Sequence, residues 1–264
     1  MRYNRTTGLA LSQMQELVRR VHAALDKPWK KKTGRSKSCG LYRAVEIACM
    51  YLRQNGTQEF LGDLQEVSQP TVSRIVTTLV PVIMAVLEEF VPDVAAALEM
   101  VKGRVCLVDG TITPCWSYAD HQELWSRKHG TTGFNAQLVS LLDGTPVFVS
   151  DPLPGNTHDK TAFDETPVAE IVRNSGGGIG DKGYQGTDLA TPRKKPKGGE
   201  LSKRDKESNA VISALRAPIE RVVAHFKNWK ILYTDYRRPY STYRETYDAA
   251  RALFFFSIIW GPFE

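Results

Sequence analysis

RVCLVDGTITP, residues 104–114, is where the character of the chain changes. Before it the apolar residues recur with helical spacing. Here Cys106, Leu107 and Val108 form an unbroken apolar run, and Thr111, Ile112 and Thr113 follow with β-branched side chains. A short run of this kind reads as a buried strand. It ends, as an apolar run, in an acid, Asp109, followed by Gly110. Asp-Gly is a common turn pair. A strand-end carboxylate in an open α/β sheet also points into the crevice where ligands sit. The stretch alone leaves both readings open.

Two further strands follow, at 132–142 and 145–150, with Asp143-Gly144 as the turn between them, so the three should form an antiparallel meander. A helix is expected over 160–173, led in by Asn156–Asp159, with Asp159 as its N-terminal cap. Ile179-Gly180-Asp181 is a short strand ending in a second acid, and 189–192 is another strand. A long helix over 208–232 and a final one over 244–260 complete the pattern. Helices covering a mixed sheet make an α/β fold over residues 101–264.

Toward the N-terminus, residues 1–100 read as all helix. Met14, Leu17, Val18, Val21 and Leu25 follow the i, i+3, i+4, i+7 rule, and 40–54 is a second helix. Thr57 can cap a short helix through about Val67, and Ser68 can cap the next, with Pro70 in its first turn. Two short helices joined tightly resemble a helix-turn-helix. Gln69, Thr71, Ser73 and Arg74 then open a recognition helix facing a major groove. The other reading is an ordinary helical hairpin. Pro81 should end or kink this helix, with a further helix to about Phe90.

The chain has 264 residues, net charge +6 and pI about 9.1. The charge is clustered. Residues 27–37 (KPWKKKTGRSK) hold six cations and no acid, and 193–206 (RKKPKGGELSKRDK) hold seven cations against two acids. Two basic runs point to a polyanionic partner, nucleic acid before membrane. The four cysteines lack C-x-x-C spacing and a suitable histidine, which argues against zinc. They read as free thiols in a reducing compartment. With no signal-like N-terminus and no run near 20 apolar residues, the expected location is the cytoplasm. Gly178-x-Gly180-x-x-Gly183 fits a dinucleotide fingerprint formally, but no helix follows it, and no G-K-[ST] is present.

The long helix SNAVISALRAPIERVVAHFKNWKIL (208–232) carries Arg216, Glu220 and Lys227 at spacings of four and seven. At 100° per residue these lie within about 40° of one another. They form either a salt-bridged surface stripe or a metal-binding carboxylate between two phosphate-binding cations. Asp109 and Asp181 favour the second reading. Three carboxylates without thiols suit hard divalent cations. Arg127-Lys128-His129 reads as a solvated hairpin tip, with DNA backbone contact as the other reading, and Trp116 and Trp125 read as core, with base-stacking as the other reading.

VDGT (108–111), GNTHD (155–159), GDKGYQG (180–186) and PIERVVAHFKNWKIL (218–232) together resemble the motifs of DDE transposases, nearest to the Harbinger-like insertion-sequence group of DDE superfamily endonucleases. The resemblance covers nearly the whole chain. It implies a ribonuclease-H-like catalytic domain over 101–264, preceded by a helix-turn-helix DNA-binding domain over 1–100. It implies Asp109, Asp181 and Glu220 as a catalytic triad holding two Mg²⁺ or Mn²⁺ ions, with His158 and Asp159 in support. Arg216, Glu220 and Lys227 match the arginine, glutamate and lysine of a YREK-type signature, with Ser213 in the tyrosine place. The implied function is transposition: binding of terminal repeats, cleavage, and joining to target DNA, in at least a homodimer. A DNA-binding regulator without catalysis, and a metal-dependent nuclease that does not join, are the alternatives.

Overall fold

The computed structural model describes residues 5–29 and 39–260. Most of the first basic run therefore lies outside the described residues. The described chain divides into two compact units, Met1–Val91 with Phe226–Glu264, and Pro92–His225.

The first unit is helical. It contains α1 (Leu11–Ala24), α2 (Leu41–Gln54), α3 (Gln58–Leu64) and α4 (Gln69–Leu87). The α2 helix starts after Gly40 and ends at Asn55, whose left-handed conformation (φ 49°) closes it. Thr57 caps α3, its side chain accepting from the Phe60 N–H. Between α3 and α4 the chain reverses sharply, with Glu66 at φ 48° and the Val67 N–H bonded to the Gly62 carbonyl at 2.9 Å. Arg43 of α2 ties this turn down through its bond to the Gln65 side chain, 3.1 Å. A Cβ on Gly62 would stand 2.7 Å from the Val67 carbonyl oxygen, so the turn needs glycine there.

Pro81 neither ends nor breaks α4, which continues to Leu87. An interior proline costs about 3 kcal/mol. Burial of Val72, Ile75, Val76, Leu79, Val80, Ile83 and Leu87 along one side of the helix offsets that cost. Gln69–Val101 is apolar and long enough by composition to cross a bilayer. The non-helical residues Val91–Asp93 interrupt it, however, and one side of α4 is used in packing.

The compact units divide at Val91/Pro92, beside the expected domain boundary after residue 100, and the C-terminal segment packs with the first unit. Its helix, labelled α9 here (Tyr243–Ile259), lies against α4. Leu253, Phe254, Phe255 and Phe256 are fully buried or nearly so, and Phe256 meets Phe90 edge-on with centroids 5.0 Å apart. Trp229 is buried under the Arg53 guanidinium. The Asn55 side chain donates to Thr234 Oγ1 (2.8 Å) and the Asp235 carbonyl (3.0 Å). The aromatic and arginine-rich stretch after Leu232 is thus core and clamp for the helices.

The second unit is a mixed sheet flanked by helices, as expected of a ribonuclease-H-like fold. It opens with α5 (Val94–Val101), capped by Asp93. Its strands are β1 (Cys106–Pro114), β2 (Trp125–Ser126), β3 (Thr131–Leu141), β4 (Pro146–Val149), β5 (Leu153–Pro154), β6 (Gly178–Ile179) and β7 (Leu189–Ala190). β4, β3 and β1 form the antiparallel meander, and β6 and β7 extend it in parallel beyond β1. The single helix expected over 160–173 is two, α6 (Asp159–Glu165) and α7 (Val168–Arg173). Pro167 forces the break, since the residue before a proline disfavours helix. The long helix α8 runs over Lys203–Lys227, starting earlier than expected inside the second basic run, and Pro218 sits within it. The division between units falls inside α8.

Gly62→Ala should lower stability by about 1–3 kcal/mol, the usual cost of overpacking, measured by thermal or denaturant unfolding. An unchanged midpoint would show that the α3–α4 turn can relax around a methyl group.

Candidate active site

The register of β1 and β6 places the two aspartates. The last parallel pair is Leu107 with Ile179. Asp109 and Asp181 each stand two residues beyond it. Because side chains alternate along a strand, each aspartate follows the orientation of its own paired residue. Asp109 is not at a strand end, since β1 continues to Pro114 and Asp109 pairs with Leu138 of β3. It is the parallel partner that ends, and this opens the space beside it. Asp181 leaves β6 to cap a one-turn 3₁₀ helix, Lys182–Tyr184, accepting from the Gly183 N–H at 2.7 Å.

Asp109 is mostly buried, and burial pushes its pKa up to about 6, against the opposing charge of Arg216 and with help from Asp181. The Arg216 guanidinium approaches Asp109 Oδ1 at 3.4 Å, while its own Nε is buried without a hydrogen-bond partner.

A third carboxylate, Asp159, acts on the same neighbours, Lys128 and Tyr184, as this pair does. It is the first residue of α6, not its cap; that place belongs to His158, which is exposed. Asp159 is only 8% exposed, and Lys128 donates to its Oδ2 at 2.6 Å. Burial works against the Lys128 ammonium. The hydrogen bond and charge of Asp159, with Asp181 and Asp109 behind it, outweigh burial and raise its pKa. Lys128 is therefore no free hairpin tip. A Cβ on Gly183 would collide with Asp159 Oδ2, and one on Gly110 would stand 3.0 Å from Oδ1. Both glycines leave room for that carboxylate.

A buried polar chain supports the cluster. Tyr184 donates to Gln137 Oε1 (2.5 Å), Gln137 to Asn135 Oδ1 (2.8 Å), and Asn135 to the Thr157 carbonyl (3.0 Å). This holds the Gly155–Asp159 loop against β3. The Tyr184 hydroxyl is pushed far above its ordinary pKa by burial and then by Asp159, Asp109 and Asp181, so it stays a neutral donor.

Residues 108–254 match the family described as DDE superfamily endonuclease, and residues 48–89 the helix-turn-helix of DDE superfamily endonuclease. The chain belongs to the DDE superfamily endonucleases. It is 31% identical over 201 residues to a putative transposase for insertion sequence element IS112 of Streptomyces albus G, covering 75% of this chain and 73% of that one. It is 27% identical over 245 residues to a probable transposase for insertion sequence element IS702 of Microchaete diplosiphon, covering 89% and 87%. No solved structure matches.

In this DDE endonuclease the third acid named by the sequence, Glu220, is exposed on α8, one turn beyond Arg216. Among the described residues no three His, Cys, Asp or Glu stand together closely enough to hold a metal ion. The structure therefore brings Asp109, Asp181 and Asp159 into one electrostatic neighbourhood and leaves Glu220 outside it. Arg216 takes the place beside Asp109. Lys227 ends α8, with its ammonium over the Tyr233 ring at 5.6 Å. On α4, Arg74 is exposed, with its guanidinium 3.3 Å from Thr71 Oγ1, and Thr71 and Ser73 are half-buried. Gln69 is held back by a 2.6 Å bond to Gln58 Oε1.

Lys128→Met should leave Asp159 buried without its cation and cost about 1–3 kcal/mol in denaturant unfolding. The double variant Lys128→Met/Asp159→Asn should recover part of this loss. Equal losses in both would mean that Lys128 acts by packing alone.

A raised carboxyl pKa means that the folded protein holds the proton more tightly than the unfolded chain. Asp109 therefore stabilises most below its ordinary value of 3.8, and that contribution is lost as pH rises through about 6. In metal-free protein, the stability of wild type minus that of Asp109→Asn should fall by about 2–3 kcal/mol between about pH 4 and pH 7. A flat difference in paired melts would refute the burial of this charge.

Proposed function

We propose that this chain is an insertion-sequence transposase that binds transposon terminal repeats, cuts DNA by phosphoryl transfer, and joins the ends to target DNA. The observation that carries the reading is the pair of aspartates, Asp109 and Asp181, in register just past the last parallel pair of the sheet in a member of this family. The transposase names of both relatives support it.

The donor set fits a hard divalent cation. Asp109 and Asp181 offer carboxylate oxygens only, and their mutual repulsion is relieved by a cation. They would hold Mg²⁺ or Mn²⁺; Glu220, exposed on α8 one turn beyond the Arg216 that lies at Asp109, would become the third ligand only by swinging in when the metal and DNA bind. When bound, two such ions stabilise the attacking and leaving oxygens of an in-line displacement. The chain's own groups do the rest. Arg216 balances Asp109 in the metal-free protein, and its unpaired Nε is a donor for a phosphate oxygen. Asp159 holds Lys128 at the carboxylates, with His158 beside it in a supporting place. Lys227 adds a further phosphate contact. Gln69, Thr71, Ser73 and Arg74 present the start of α4 to a major groove. Binding two ends calls for a homodimer, and the compartment is the cytoplasm.

The test uses the full chain, duplex carrying the inverted repeats that flank its gene, and Mg²⁺. Wild type should cleave at the repeat end and give joined product. Asp109→Asn should lose cleavage yet still bind. Arg74→Ala should weaken binding by about 1–3 kcal/mol and loosen sequence preference. Cleavage without joining would make the chain a nuclease, and binding without metal-dependent cleavage a DNA-binding regulator. Cleavage by Asp109→Asn at the wild-type rate would overturn the assignment of the site.

A further inference from the structure

Beside the carboxylate cluster the second unit holds a cavity of about 830 Å³, between the β1–β3 connection and the Gly155–Asp159 loop. Trp125, Tyr118 and His121 line it, together with Arg127, Lys128, His129 and His158. Trp125 was expected in the core, as was Trp116. They are 49% and 54% exposed instead. An indole left half-exposed on a two-residue strand, β2, at the mouth of a cavity is not explained by packing. The only carboxylate among the lining residues is Asp159, and Lys128 already neutralises it. The wall is therefore cationic and aromatic together. That combination suits a nucleotide, with a planar base to stack and a phosphate to neutralise, and the volume is ample for one.

We propose that this cavity binds an unpaired nucleotide of the DNA strand being processed, its base against Trp125 and its phosphate at Arg127 and His129. The inference rests on the reading of the chain as a DNA-cutting transposase and adds a second contact to it. Asp159 and Lys128 belong to both the cavity wall and the carboxylate cluster, so a strand lying at Asp109 and Asp181 has its neighbouring nucleotide at the cavity mouth. A base within a duplex hides both faces in the stack and cannot reach an indole; an unpaired one can. The occupant is thus single-stranded DNA, or an extruded nucleotide at a transposon end.

The test measures binding of a fluorescein-labelled oligo(dT) of eight nucleotides to the full chain at low salt, beside binding of the terminal-repeat duplex. Trp125→Ala should weaken oligo(dT) binding by about tenfold or more, the usual consequence of losing one stacked base. Trp125→Phe should keep most of it, and both variants should bind fully paired duplex as wild type does. Arg127→Ala should weaken oligo(dT) binding and lower its salt dependence by about one unit of log–log slope. Unchanged oligo(dT) binding by Trp125→Ala, in protein that melts as wild type does, would overturn the proposal. So would free dTMP competing as well as the oligonucleotide, because the cavity would then be a mononucleotide site. Duplex cleavage by wild type and its loss in Asp109→Asn are scored separately. The nucleotide site can therefore fail while the transposase reading stands, and oligo(dT) binding can persist where cleavage is absent.

Discussion

The pairing of β1 with β6 stops after Leu107 and Ile179, and the site depends on that stop. On its other edge β1 is paired with β3 along its whole length, so Asp109 is rigidly held and mostly buried. On the open edge no backbone ladder continues, and Asp181 turns away into its 3₁₀ cap. Asp109 is poorly solvated here and, to a lesser degree, repelled by Asp181, and this outweighs the Arg216 charge and raises its pKa to about 6. The surrounding chain answers with cations from distant places. Arg216 comes from α8, and Lys128 from the connection between β1 and β3. Each is drawn by the same charge deficit.

Much of the fold was legible because its signals are local. Short apolar runs with β-branched residues marked β1, β3 and β4, Asp143-Gly144 marked the turn between β3 and β4, and Thr57 and Ser68 marked the two helices that flank the tight turn. The errors are cases where packing overrode local chemistry. Pro81 is carried inside α4 by the apolar face around it. Pro167, passed over in a helical pattern, split one helix into two. Asp109 was placed at a strand end because Asp-Gly reads as a turn, but antiparallel pairing with β3 carries β1 on to Pro114.

In the site, single acids at motif positions were readable, and their partners were not. Lys128 and Asp159 are 31 residues apart, and no sequence pattern couples them. A basic tripeptide at a hairpin tip gives no sign that one of its members reaches a buried carboxylate. Trp116 and Trp125 read as core on residue type alone, but Trp116 lies in the loop after β1, and the face that β2 turns to solvent with Trp125 is set by its pairing with β3. Helix α8 is the opposite case. Its spacing set Arg216 and Glu220 one turn apart, and the structure then separated them by environment, one on Asp109 and one in solvent.

The first unit is discontinuous, and this bears on how the protein is made. Phe90 and the buried face of α4 find their partners in α9, whose Phe256 lies more than a hundred and fifty residues later in the chain. At about 5–20 residues per second, a ribosome leaves that apolar face uncovered for on the order of ten seconds while the sheet is translated. The helix-turn-helix, first to emerge, is among the last parts to gain its support. A chain released before α9 carries the helix-turn-helix without the packing that holds it.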